Sequence, residues 1–228
     1  MRISNQKLAI GIPLTFPQVP SQFFDSFTLM EKPPFEYIRA NNGPIHELRN
    51  NIVNTALALG ATNLIMMDVD QIYHPKTIPT LLAHNLPVVG ALVHRRYPPF
   101  DSLMMKMYEN DNVRGYGPID DWEDGALVEV DATGTGCIMY DMEVFRKLPA
   151  PWFKAECNPD GSPIGEDFGF CSVLKDNGYR IFVDTSVPAG HLTTMIVNTA
   201  TNRLYRAMKG DRQKQALGVV KEEKVNGG

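Results

Sequence analysis

The stretch Leu64–Pro75, LIMMDVDQIYHP, decides the fold. Four apolar residues run straight into Asp68, Val69 and Asp70, and there the apolar pattern stops. A short continuous apolar run with such a break predicts a strand buried on both faces. Side chains alternate along a strand, so Asp68 and Asp70 are expected on one side with Val69 opposite. A buried strand has no packing reason to end in two carboxylates. In an open parallel sheet, however, the carboxyl ends of the strands are where ligands sit. Two hard oxygen donors at that lip suit Mg²⁺ or Mn²⁺, with a diphosphate completing the octahedron. Taken alone, the tripeptide reads better as a cap for the helix beginning near Pro75, with one acid solvated.

The flanking sequence extends this strand into an α/β pattern. Upstream, Ile45, Leu48, Ile52, Ala56 and Leu59 recur at intervals of three and four, one face of a helix that Gly60 stops. Before it, Lys7–Leu14 (KLAIGIPL) is a buried strand, and the proline-rich Thr15–Pro34 is mostly loop with room for a helix. Downstream come a helix with Ile78, Leu81 and Leu82 inward, then an apolar strand, Leu86–Val93, broken by Gly90. Strand, helix, strand, helix, strand predicts a parallel sheet covered on both faces. Tyr97–Asp124 reads as an excursion over one edge. Short strands follow at Leu127–Asp131 and Gly136–Tyr140, then a capped helix at Asp141–Pro149, a helix within Gly165–Gly178 and a strand at Tyr179–Asp184. The expected organisation is one domain over 1–195, then a 196–228 segment with a helix near Asn202–Met208 and a disordered tail.

Composition excludes several classes. The 228 residues are 43% hydrophobic and 21% charged, enough for a sizeable core. A net charge of −4 leaves no electrostatic footprint for nucleic acid. No apolar run approaches the ~20 residues of a membrane span, and the first residues lack a secretory signal. Cys137, Cys157 and Cys171 are odd in number and form no CxxC pair, which suggests reduced thiols of a cytoplasmic protein or buried small apolar residues.

Two further stretches bear on Asp68 and Asp70. GEDFGFC places Glu166 and Asp167 at a helix start, where acids also serve as plain first-turn capping. VDTSVPAGHL ends an apolar strand in Gly190-His191, and a lone histidine there is ordinarily packed or solvated. Taken together, the order and spacing of Arg49-Asn50, Asp68-Val69-Asp70, Glu166-Asp167 and His191 resemble the nucleotide-sugar-dependent glycosyltransferases of the GT-A fold, family-2-like and carrying a DxD. The resemblance spans roughly Lys7–Leu192, and TGTGCIMYDMEVF resembles that family's acceptor-pocket segment.

The resemblance implies a mostly parallel, Rossmann-like sheet flanked by helices and a metal-dependent hexosyltransferase. Asp68, Asp70 and His191 would hold Mn²⁺ or Mg²⁺, with Asp68 also reaching the ribose. Asp167 would be the general base of an inverting reaction, and Glu166 would orient the acceptor. A carboxylate can act so when burial and neighbouring acids raise its pKa. Pro13, Thr15 and Arg49 would meet the donor, a UDP-sugar, with a surface salt bridge as the plain alternative for Arg49. Of Arg95 and Arg96, at the same lip, one is expected on a phosphate or the acceptor and the other in solvent, with Arg95 taken as the ligand. Trp122 and Trp152 suit a sugar ring, and Trp152-Phe153 equally suits the core. The acceptor is a hydroxyl of a glycan, lipid, protein or modified nucleotide. The sequence departs from the family-2 pattern in having no acid-rich turn after the first strand and no clear Asp ending a second strand. It also lacks QxxRW, which argues against a processive synthase. The rivals are a sugar-phosphate nucleotidyltransferase, whose Gly-rich basic loop GIPLTFPQVPS does not supply, and a non-catalytic nucleotide-sugar-binding module.

Overall fold

Alternation along the strands builds the centre of the molecule. In β1 (Leu8–Leu14), Leu8, Ile10 and Ile12 enter one apolar layer while Ala9 enters the other. In β3 (Asn63–Met67), Leu64 and Met66 face the layer of Ala9, and Ile65 and Met67 face the opposite one. Both faces are therefore dry, as the unbroken apolar runs require. The structure, a computed structural model, describes residues 6–110, 113–158, 161–195 and 197–207. The chain divides into two units, Met1–Leu192 and Thr193–Gly228.

In the first unit, α1 (Ser21–Leu29) leads to β2 (Phe35–Asn41), and α2 (Ile45–Ala58) leads to β3. Then follow β4 (Gln71–Ile72), α3 (Thr77–Ala83), β5 (Val88–Val93) and a hairpin of β6 (Met105–Asn110) with β7 (Val113–Pro118). The chain continues through β8 (Leu127–Val130), β9 (Cys137–Asp141) and α4 (Met142–Lys147). Last come β10 (Glu156–Cys157), β11 (Pro163–Ile164), α5 (Glu166–Asp176) and β12 (Ile181–His191). The eight-stranded sheet has the order β2-β1-β3-β9-β5-β12-β4, with β8 on β12. β1, β2, β3, β5 and β12 run one way and β4, β8 and β9 the other, so the sheet is mostly parallel. The second unit holds a helix α6 at 199–207, near the expected position; Met208 and the polar end lie outside the described residues. No helix among the described residues is long and apolar enough to cross a membrane.

Four features differ from the sequence reading. The parallel run is interrupted by β9, which inserts antiparallel between β3 and β5. β2 forms at Phe35–Asn41, at the sheet edge, where Ile38 and Ala40 are buried and the residue between them is exposed. β5 passes through Gly90 without a break. β12 also runs to His191, well beyond Asp184: its pairing with β5 shifts between Asp184 and Ala189, and Pro188 falls in that irregular stretch.

α2 sets the geometry of the site because it lies very close to β1. A Cβ at Gly11 would stand 2.3 Å from Ile52 Cγ2, on a β-branched side chain that cannot rotate away. Gly11→Ala is therefore expected to destabilise the protein by about 1–3 kcal/mol through overpacking. Urea unfolding monitored by circular dichroism checks this; an unchanged midpoint would mean that α2 shifts freely.

Candidate active site

Asp68 leaves β3 one residue after its last paired position. It follows Met66 on the layer covered by α2, and there it meets Arg49. Arg49 Nη2 lies 3.3 Å from Asp68 Oδ2, and Arg49 Nε lies 3.3 Å from Glu166 Oε1. Only 5% of the Arg49 side chain is exposed. Burial opposes its charge, but Asp68, Glu166 and Asp167 outweigh that and raise its pKa. One guanidinium thus ties the end of β3 to the start of α5. Its neighbour Asn50 does different work. Asn50 Oδ1 accepts from the N–H groups of Trp152 and Phe153, and its amide donates to Phe153 O, pinning the 152–153 segment to α2.

The turn after β3 is rigidly held. Asp68 N donates to Gly136 O at 2.8 Å. The Tyr73 hydroxyl lies 2.6 Å from Asp68 O and 2.9 Å from Gly136 O. Gln71 is buried against Gly136, where a Cβ would stand 2.0 Å from its Nε2 and 3.2 Å from Asp68 Oδ2. Thus Gly136 of the TGTG segment packs directly against Asp68 and Gln71.

Asp70 lies beyond the strand, in the turn, so period-two alternation does not govern it. Its Oδ2 accepts from Arg96 Nη1 at 2.9 Å and faces His191 Nε2 at 3.4 Å. Strand pairing delivers His191: β12 joins β4 with His191 opposite Gln71, and Leu192 N donates to Asp70 O at 2.7 Å. The His191 Nδ1 stands 2.8 Å from the His94 carbonyl, which can only accept, so Nδ1 carries a proton. A neutral His191 would then present a bare Nε2 to a carboxylate oxygen. Two acceptors held face to face require a proton or a cation between them. Burial works against a charged imidazole, but the Asp70 carboxylate and the His94 carbonyl prevail and raise the His191 pKa. Burial likewise works against a charged Asp70, yet His191 and Arg96 lower its pKa.

Asp167 opens α5 beside Glu166. Burial, and then the adjacent Glu166 charge, push its pKa up to about 6, although Arg49 pulls the other way. The structure thus brings Arg49, Asp68, Glu166 and Asp167 into one electrostatic cluster, and Asp70, His191 and Arg96 into a second. Pro13, Thr15, Arg49, Asp68 and Asp70 line one cavity of about 650 Å³, together with Phe16, Gln18 and Arg96. Arg95 is not among its walls; the arginine of the lip that reaches it is Arg96. Trp152 belongs to the core, edge-on to Phe145 with its indole N–H on Leu148 O, and Trp122 is half-buried against that core. Among the described residues, no three His, Cys, Asp or Glu side chains gather as a cation site, so Asp68 does not close onto the Asp70–His191 pair.

No protein-family model and no curated protein matches the sequence. Solved structures do match its backbone. The chain is similar to A197 from STIV, with TM-score 0.56, 19% identity, 83% of this chain and 87% of that one. It is similar to GalNAc-T7 crystallised with UDP, GalNAc and Mn²⁺, with TM-score 0.59, 10% identity and 85% of this chain covered. It is also similar to residues 1–349 of S. aureus TarS in complex with UDP-GlcNAc, with TM-score 0.53, 13% identity and 86% of this chain covered. The fold is GT-A. The chain spans 45% of the GalNAc-T7 chain and 61% of the TarS chain. In this fold the cavity lies at the carboxyl ends of β1 and β3, and Asp68 and Asp70 mark its rim.

Proposed function

We propose that the protein is an inverting glycosyltransferase that moves a sugar from a nucleoside diphosphate donor, a UDP-sugar, to a hydroxyl acceptor. The observation that carries the reading is the Arg49 bridge. It links Asp68 on the cavity to Glu166, the chain neighbour of Asp167, whose pKa of about 6 suits a general base. The GT-A fold shared with proteins crystallised with UDP or UDP-GlcNAc supports the donor class.

The donor nucleotide occupies the cavity against Pro13 and Thr15, with its diphosphate toward Asp70 and Arg96. Asp167 takes the proton of the acceptor hydroxyl as that oxygen bonds to the anomeric carbon. The bond between this carbon and the diphosphate oxygen breaks, its electrons leaving with the nucleotide. Glu166, held by Arg49, orients the acceptor. Asp70 and His191 would hold Mn²⁺ or Mg²⁺, with Asp68 nearby. The pair fits because an imidazole nitrogen and a carboxylate oxygen already face each other without a shared proton when His191 is neutral. Such cations commonly take one or two protein ligands and complete their shell with water and phosphate. When bound there, such an ion would neutralise the departing diphosphate. Free thiols, one of them exposed at Cys157, accord with a cytoplasmic setting.

Incubation with Mn²⁺ and a panel of nucleotide sugars tests the reading through release of nucleoside diphosphate. Asp70→Ala is expected to remove metal-dependent donor binding altogether, as measured by calorimetry. Pyrophosphate release from a nucleoside triphosphate would instead identify a nucleotidyltransferase. Binding of a nucleotide sugar without turnover, for any hydroxyl acceptor, would identify a binding module.

A further inference from the structure

The two arginines of the cavity are built differently. Arg49 is buried and held by two carboxylates, so it cannot leave. Arg96 has 44% of its side chain exposed and is paired with Asp70 Oδ2. It stands on a loop that closes on itself through Arg95 N on Asp101 O and Leu103 N on Val93 O. The same loop supplies the His94 carbonyl that fixes the His191 ring. One short segment therefore sets the histidine and delivers a guanidinium to the oxygen that the histidine faces.

Arg96 and a divalent cation compete for Asp70 Oδ2, since two cations against one oxygen repel at contact distance. We propose that Arg96 is a resident counter-ion: it yields Asp70 to the divalent cation and turns to the donor diphosphate. It therefore opposes cation binding in the empty cavity and supports nucleotide binding in the loaded one. This inference rests on the reading of the cavity as a donor site. An exposed ion pair contributes only ~0–1 kcal/mol, so the exchange is easily made. The guanidinium fork matches two diphosphate oxygens, which a point charge does not.

Calorimetry on the full chain separates the two roles. Mn²⁺ is titrated alone, and then UDP in saturating Mn²⁺, into the wild type, Arg96→Met, Arg96→Lys and Asp70→Ala. Arg96→Met is expected to bind Mn²⁺ about two- to fivefold more tightly. The same variant is expected to bind UDP about tenfold more weakly, or worse. Arg96→Lys, which keeps the charge and loses the fork, should restore the wild-type Mn²⁺ affinity and only part of the UDP affinity. Changes of the same sign for both ligands, or an unchanged Mn²⁺ affinity in Arg96→Met, overturn the exchange while leaving the donor site standing. A wild type that binds no Mn²⁺ through Asp70 overturns the exchange and the metal assignment together.

Discussion

Asp167→Asn is expected to lower turnover by about 10²–10⁴-fold and to leave nucleotide-sugar binding intact. The amide keeps the shape and cannot accept the hydroxyl proton. The reason to choose this carboxylate is its environment: burial and the Glu166 charge raise its pKa to about 6, close to where a base works at neutral pH. In the wild type, kcat/KM should therefore rise with pH and level off above a midpoint near pH 6. That limb should be absent from the residual activity of the variant. Stability moves the other way. A carboxyl whose folded pKa is raised favours the native state fully below its unfolded value, and that contribution is lost as pH rises through about 6. Removing the ionisation should leave the variant at least as stable as the wild type at pH 7–8. Thermal melts at those pH values exclude unfolding as the cause of lost turnover. Full turnover in the variant would rule Asp167 out as the base.

Arg49→Met carries the largest expected effect on folding. The substitution leaves Asp68 and Glu166 without their shared cation in a largely buried site. Breaking a buried charge pair by removing one partner costs about 3–5 kcal/mol. For a chain of this length that corresponds to a fall in Tm on the order of 10 °C. Arg49 also lies within reach of the Phe153 ring, 6.0 Å from its centroid, so methionine retains the packing while losing the charge. The companion variant Arg49→Met/Asp68→Asn/Glu166→Gln replaces all three ions by neutral groups of similar size. It should recover most of the lost Tm, because no buried charge then lacks a partner. Nucleotide binding should stay weak in both. If the triple variant is no more stable than Arg49→Met, the loss lies in packing and the ion triad contributes little.

Much of the site was legible before the fold was. The end of the apolar run at Met67, the acids at the head of α5 and the Gly190-His191 end of β12 all stand in the sequence as breaks in pattern. The burial of Arg49, against the surface salt bridge read as its alternative, had a signal that was missed. Arg49 falls at positions i+4 from Ile45 and i−3 from Ile52, inside the apolar stripe of α2, and a charge there must be buried and paired. Which of Arg95 and Arg96 reaches the cavity was not legible. Adjacent residues on a loop have no periodic rule to separate them, and the path of the 94–103 segment comes from its own cross-loop hydrogen bonds. Trp152 was equally ambiguous, since an indole serves a core and a sugar equally well until its ring is seen against Phe145 and its N–H on Leu148 O.

By itself, the sequence determined the α/β class, the buried strands, the capped helix α4 and the candidate acids, because these follow from apolar periodicity and from polar residues where periodicity fails. Only the tertiary structure decided the partners. Long-range pairing cannot be read from local pattern: β9 enters antiparallel between β3 and β5, and β12 slips past Pro188 to set His191 beside Asp70, 121 residues away. Likewise, two aspartates one residue apart acquire different counter-ions. Asp68 still belongs to the strand's facing rule and meets α2, whereas Asp70 has entered a turn and meets the loop after β5.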